Sequence, residues 1–395
     1  MSSRIQHGLL ITAIIFGLIG LVKLVTFRSH YFDPFNNGMK DYEVTDIVFS
    51  QLRDPERIQR ETRVVLVHVA EPQREEMAEI LTKISRHAPA VVGVDILFPG
   101  RKDSTGDARL SESLAGIPNL VLAANLAPYV DSLGGIPNMI VSDSLFSRKG
   151  QNAYTNFLAG ADRTVRLFTP RLETLDGQEQ SAFAVALAQA FDPEANRRLL
   201  RRNKSAERIN YLGDYRSYLR MDGRAILDLP EEALALFRDR IVMVGFVDSR
   251  LPDAPLEDRY FTPLNPVYTG RSIPDMYGMV IHANIVSMIL DGHFIYTVPE
   301  WLTLVLSILF GFINVIIIHR IYHWLPDTFH GVTRILQLVE LLIFFFLVAF
   351  LFHFFSLKID FSIGFLALIL AYDVVMIYES FIRKRLPYFK NLRYE

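Results

Sequence analysis

The chain has 395 residues, of which 50% are hydrophobic, and its 41 Lys and Arg against 43 Asp and Glu leave a net charge of −2. That balance argues against nucleic acid as a partner, which would call for a strongly basic footprint. Cysteine is absent, so disulfides, thiolate zinc sites and cysteine nucleophiles are excluded.

The apolar residues are unevenly spread. One long run occupies residues 9–27, and three more crowd into 301–382, at 301–318, 335–355 and 361–382. Each approaches the ~20 residues that an α-helix needs to cross a bilayer. The first exceeds the ~7–15-residue core of a secretory signal. It is followed by Arg28-Ser29-His30-Tyr31-Phe32, a poor cleavage site, so it reads as an uncleaved anchor. Orientation follows from basic residues in short segments. Arg383, Lys384, Arg385, Lys390 and Arg393 follow the last run and Arg320 and Arg334 separate the second from the third, whereas the 356–360 loop carries a single Lys.

The predicted organisation is a cytoplasmic N-terminus at 1–8, a transmembrane helix at 9–27, a periplasmic domain at 28–299, three transmembrane helices within 300–382 and a basic cytoplasmic tail at 383–395. Both termini face the cytoplasm of a bacterial inner membrane. The tail is too short to bury a core of its own, so no effector domain is expected after the last span.

Within the polar segment, Arg63–Val69 is a β-branched run expected to form a buried strand. Helical spacing follows at 75–84, then an apolar strand over 90–98, a helix at 107–114 and a strand at 120–124. Such alternation implies βαβ units and a mainly parallel sheet with flanking helices, an α/β domain carried by four transmembrane α-helices, one before it and three after. The middle is harder to divide. An alanine-rich helix is predicted at 181–191, and the basic run 197–208 reads as a solvated surface. A helix at 231–237 leads into a buried strand at 241–246 and a long loop through Asp248, Pro252, Asp253 and Pro255. A last helix at 281–290 is expected to hand the chain directly to the second span.

Three stretches together resemble the CHASE2 family of extracytoplasmic sensor domains. They are Val64–Val69 followed by Val91–Phe98, the helix Gly106–Ala115, and Ile241–Phe246 with Asp258, Thr262-Pro263-Leu264 and Ile281-His282-Ala283-Asn284. The order of these motifs and the arrangement of spans fit the family as well. The resemblance implies a sensor domain, usually fused to a cyclase, a kinase or another signalling module. Where the family usually carries acidic residues at the end of its first strand, this chain has His68 and Ala70, with only Glu71 acidic.

His68, Asp95 and Asp107 are predicted near strand C-terminal ends, where open α/β sheets bind ligands. Thr262, His282 and Asn284 complete the candidate ligand-binding set, with hydrogen bonding between the last helix and the 262–264 loop as their plainer role. Asn314, Glu340 and Asp373 are polar residues inside spans, where ionisable groups face a bundle interior or water; packing through hydrogen bonds is favoured over ion conduction. Arg383, Lys384, Arg385, Tyr388, Phe389 and Tyr394 form a candidate partner-binding tail.

No metal-ligand spacing, catalytic motif or cofactor fingerprint stands out, so neither an enzyme nor a cofactor is expected. The partners implied are the lipid bilayer, a membrane or cytoplasmic protein in trans and a second copy of the chain. The function read from these features is an inner-membrane sensor that passes an extracytoplasmic signal to a separate protein. The alternative is a scaffolding subunit of an envelope complex that uses the periplasmic domain as a docking platform.

Overall fold

A computed structural model describes residues 3–28, 43–53, 60–159, 163–248, 258–265 and 273–386. The chain opens with helix α1 (Ser3–Arg28) and divides into two compact units. One comprises the described residues from Glu43 to Ile295. The other combines α1 with the chain from Tyr296 onward.

The first unit is built on a seven-stranded sheet. Its strands are β1 (Glu61–His68), β2 (Val91–Val94), β3 (Leu120–Leu126), β4 (Met139–Ile140), β5 (Gln151–Tyr154), β6 (Tyr218–Asp222) and β7 (Ile241–Gly245). The order is β6-β1-β7-β2-β3, all parallel, with β5 parallel and β4 antiparallel on β3. The mainly parallel sheet expected from the sequence is therefore present. Strands covered on both faces should be continuous β-branched runs rather than alternating ones. Val64–Val67, Val91–Val94 and Ile241–Val244 are such runs, and they are buried throughout.

Alternation along each strand divides their side chains between two cores. Val65, Val67, Val92, Val94, Val242 and Val244 meet Met77, Ile80, Leu81 and Ile84 of α2 (Arg74–Arg86) and Leu110 and Leu114 of α3 (Ser104–Ala115). The Asp103 side chain caps α3 by accepting the Gly106 N–H. Helices α4 (Phe183–Phe191) and α5 (Gly278–Asp291) cover the other face. Every residue of α5 from Gly278 to Leu290 is buried, so its apolar surface is spent inside the domain.

Several elements depart from expectation. The strand predicted at 90–98 ends at Val94, where the Asp95 N–H still bonds Val244 O at 2.8 Å before the chain turns away. The basic 197–208 run is only partly solvated. Arg197 and Arg201 are exposed, but Arg202 makes a tight ion pair with buried Glu207, and Arg208 pairs with Glu43 at 2.9 Å. Much of the long loop after Asp248, including Pro252, Asp253 and Pro255, lies outside the described residues.

Nor does the last domain helix run on into a span. It stops at Gly292, whose φ of +67° favours glycine, and the Gly292 and His293 N–H groups bond back to Ile289 O and Met288 O. An extended segment, Tyr296–Thr297, and Pro299 separate it from the next helix.

The second unit contains four helices long and apolar enough to cross a membrane: α1, α6 (Glu300–Trp324), α7 (Phe329–Phe355) and α8 (Ser362–Ile377), which continues through a π-helical turn (Tyr378–Ile382) to Arg385. Ile11, Ile15, Ile19, Val315, Ile318, Ala367, Ala371 and Val375 form its core. Small residues let such helices approach closely. A Cβ on Gly311 would sit 3.2 Å from the Phe16 ring. The outward surface carries Leu304, Ile308, Leu338, Phe346, Phe350 and Phe354, as a lipid-facing surface requires.

The helices outrun the predicted spans. Helix α6 continues six residues past Ile318 to Trp324, and α7 starts at Phe329 rather than at 335. Hydropathy falls where His319, Arg320 and Arg334 enter, but the backbone hydrogen bonds continue regardless of side-chain polarity.

Candidate functional site

The C-terminal edge of the parallel sheet collects polar groups in one row. Pairing sets His68 beside Asp222 on one side and Gly245 on the other, and the Val244–Val94 pair brings Asp95 alongside Gly245. This is the edge at which open α/β sheets bind ligands. His68 is half-buried; its Nδ1 accepts the Val247 N–H at 3.1 Å, and its ring stands edge-on to Phe246. It lines a cavity of about 90 Å³ together with Ala70, Pro72, Glu76, Asp222 and Arg224. Two of its lining residues, Arg224 and Glu76, form a 2.7 Å ion pair.

Beside the cavity residues along the same edge stands a carboxylate pair. Asp258 reaches the row because Arg259–Tyr260 pairs antiparallel with Met276–Tyr277, which places Asp258 at the head of α5. A Cβ on Gly278 would lie 3.0 Å from the Asp258 carboxylate, so glycine is what admits the acid to the helix N-terminus. Likewise a Cβ on Gly245 would meet Met279 Sδ at 2.9 Å and the Asp95 Cβ at 3.1 Å. Burial pushes the Asp95 carboxyl up to about 7, and the Asp258 charge adds to that shift. Asp258 itself is raised by desolvation, against which the Tyr260 hydroxyl and Gly278 N–H favour its charged form; its partial exposure tempers the effect.

The remaining sequence candidates hold the scaffold around this edge. Asp107 lies in the first turn of α3, not at a strand end. It pairs with buried Arg74 at 3.3 Å and accepts the Lys102 N–H, while Arg74 also lies over the Phe98 and Phe146 rings. Thr262 is buried and donates its N–H to Asp275 Oδ1 at 2.9 Å; desolvation raises that carboxyl to about 6. His282 is enclosed by the Phe157 and Phe183 rings, and burial lowers its pKa to about 3.

Asn284 is fully buried. Its Oδ1 accepts the Leu212 and Gly213 N–H groups at 2.7 and 3.1 Å, and its Nδ2 donates to Gly213 O and Val280 O. The loop it fastens is thus 212–213, not the 262–264 loop expected from the sequence. The sequence reading named Asp258 only as part of a motif. Its position depends on a distant strand pair, which leaves no local signal.

Among the span residues, Asn314 Nδ2 donates to Glu340 Oε2, and Arg334 pairs with Asp373 at 3.3 Å. Arg383 is engaged with Glu379 at 2.9 Å and Arg385 lies 4.0 Å over the Phe381 ring, while Lys384 is exposed. Tyr388, Phe389 and Tyr394 lie outside the described residues. Among the described residues, one group of His, Asp and Glu side chains converges closely enough to hold a metal ion: His319, His323 and Glu379. The signal for it was the His-x-x-x-His spacing at 319–323, which begins one residue beyond the predicted end of the second span.

The domain is a mainly parallel α/β sheet with two carboxylates at its C-terminal edge, on a chain with four helices of membrane-spanning length and composition. The chain belongs to the CHASE2 domain family, whose model matches residues 26–317. CHASE2 is a family of extracytoplasmic sensor domains. No curated protein and no solved structure matches the chain.

Proposed function

We propose that the chain is a bacterial inner-membrane sensor whose domain lies in the periplasm, whose termini lie in the cytoplasm, and whose ligand is a small cation recognised at the sheet edge. The observation that carries this reading is the Asp95–Asp258 pair. Two carboxylates crowded at one edge favour a partner that brings positive charge or several N–H donors, because such a ligand offsets both desolvation and mutual repulsion. Asp258 also sits at the head of α5, the helix that precedes the three C-terminal apolar helices in the chain. Occupancy then favours one arrangement of the Asp258–Gly278 junction over another, and the differential affinity for the two arrangements is the signal. The readout is a separate membrane or cytoplasmic protein. The orientation rests on the basic residues at 383–393 and the bare 356–360 loop.

The test is a thermal-shift series on the detergent-solubilised protein at pH 7.5 with spermidine, agmatine and lysine. At least one should raise the melting temperature of the wild type, and Asp95→Asn should abolish that shift. A panel that leaves the wild type unmoved, or moves Asp95→Asn equally, refutes recognition by the carboxylates.

A further inference from the structure

At the end of the helical unit where α1 begins and α6 ends, polar side chains from three helices meet. His319 and His323 lie one turn apart on α6, so both imidazoles project from the same side of the helix. Opposite them stands Glu379, in the π-helical turn that interrupts the end of α8. Such turns insert an extra residue and re-aim a side chain, and they occur often at functional sites. Both imidazole Nε2 atoms face one and the same carboxylate oxygen, Glu379 Oε1; the His319 contact is tight and the His323 contact is 3.4 Å. Arg383 Nη1 donates to the second oxygen, Oε2, at 2.9 Å and more distantly to Oε1 at 3.3 Å, which holds the carboxylate in place beside the histidines.

We propose that His319, His323 and Glu379 bind a divalent transition-metal ion, zinc by its donor set. The three ligand atoms lie within 4.8 Å of one another. Two ligands about 2.05 Å from a tetrahedral centre are about 3.3 Å apart, so the His323–Glu379 spacing already matches and a small rotation opens the His319 contact. Two imidazoles and a carboxylate suit zinc and its first-row neighbours rather than magnesium or calcium, which take oxygen ligands. His319 and Glu379 are almost fully buried at 1% and 5% exposure, while His323 is 29% exposed, leaving one side open for a water as fourth ligand.

The surroundings complete the site. The His7 ring of α1 lies 5.5 Å from that of His319, and its Nδ1 pairs with the Tyr378 hydroxyl at 2.5 Å. A metal here would clasp α6 to the end of α8, with α1 fastened to the same point through His7. Arg383 opposes a cation electrostatically, but its shorter bond is to Oε2 and the one to Oε1 is longer, at 3.3 Å, so it lowers affinity without occupying a ligand position. The site shares no residue with the sheet-edge row, and its test is independent of the sensing proposal.

The experiment uses the full chain in detergent, purified on a tag without histidine, stripped with a chelator and titrated with cobalt(II) and then zinc(II). The wild type should take up one equivalent of cobalt with the visible spectrum of a tetrahedral site, and zinc should bleach it. His323→Gln, a change at the exposed ligand, and Glu379→Gln should each weaken binding by more than about a hundredfold, since losing a ligand costs at least as much as losing a supporting contact. Asp373→Asn should bind as the wild type does. A folded wild type without the tetrahedral cobalt spectrum, or His323→Gln binding with unchanged affinity, overturns the site.

Discussion

Asp95→Asn should stabilise the domain most at pH 8, by roughly a third of that at pH 5 and hardly at all below pH ~4, because the substitution removes a charge that the fold penalises. In the folded chain the Asp95 carboxyl is held at about 7 against an ordinary 3.8, by burial first and by Asp258 second. The folded state therefore retains a proton that the unfolded chain gives up above pH ~4, so stability falls as pH rises from ~4 to ~7 and then levels off. The full span corresponds to about 4 kcal/mol. Asp95 keeps some contact with solvent, so about 2–3 kcal/mol is the expected gain at pH 8. Asparagine has nearly the same shape and carries no charge. Urea unfolding in detergent reads this out through tyrosine circular dichroism, to which the buried Tyr154, Tyr211, Tyr218 and Tyr277 of the domain contribute alongside Tyr372 and Tyr378 of the other unit, whose signal is controlled for with a matched Asp373→Asn variant. A difference between variant and wild type that is independent of pH, or a loss of stability at pH 8, would refute the strained-carboxylate reading.

Asn284→Ala should lower domain stability by about 3 kcal/mol or more in the same assay, since it orphans the Leu212 and Gly213 N–H groups in a buried site; an unchanged urea midpoint would remove its structural role. Glu340→Gln should keep the oxygen that accepts from Asn314 and retain function and assembly, whereas Glu340→Leu should cost about 1–2 kcal/mol of bundle stability; loss of function in a folded Gln variant would point instead to proton coupling. A reporter active only in the periplasm should be active when fused near Lys358 and silent after Glu395, and the reverse pattern would invert the orientation. Deleting 391–395 should leave membrane insertion intact and weaken co-purification of the partner; full retention would move that contact onto the helices.

What could be read from the sequence follows from how each element is buried. Strands β1, β2, β3 and β7 were legible because a sheet covered on both faces demands continuous apolar runs, and Val-Val-Leu-Val or Ile-Val-Met-Val has few other homes. Strand β6, Tyr-Leu-Arg-Met-Asp, was not legible. It sits at the sheet edge, only Tyr218 is fully buried, and its alternating pattern over five residues does not distinguish an edge strand from a loop. The four apolar helices were legible at their centres, while their backbones run on past the apolar stretches.

The same limits apply to the candidate sites. Asp95 could be found because it directly follows a recognisable strand. Asp258 could not be placed, since only the pairing of Arg259–Tyr260 with Met276–Tyr277 brings it to the head of α5. Asp107 was expected at a strand end but lies in the first turn of α3, and its partner Arg74 lies 33 positions earlier in the chain. A hydropathy window is weakest at a helix end, where apolar density gives way to polar side chains. Yet a polar side chain that is buried there must have a partner, and the partners come from other helices. His319 meets Glu379 and His7 meets Tyr378 across more than fifty residues of sequence each. The turns of α6 that seemed to lie beyond the span are the ones that gather His7, His319, His323 and Glu379 into one polar cluster, and a pattern search confined to the apolar stretch would pass over them each time.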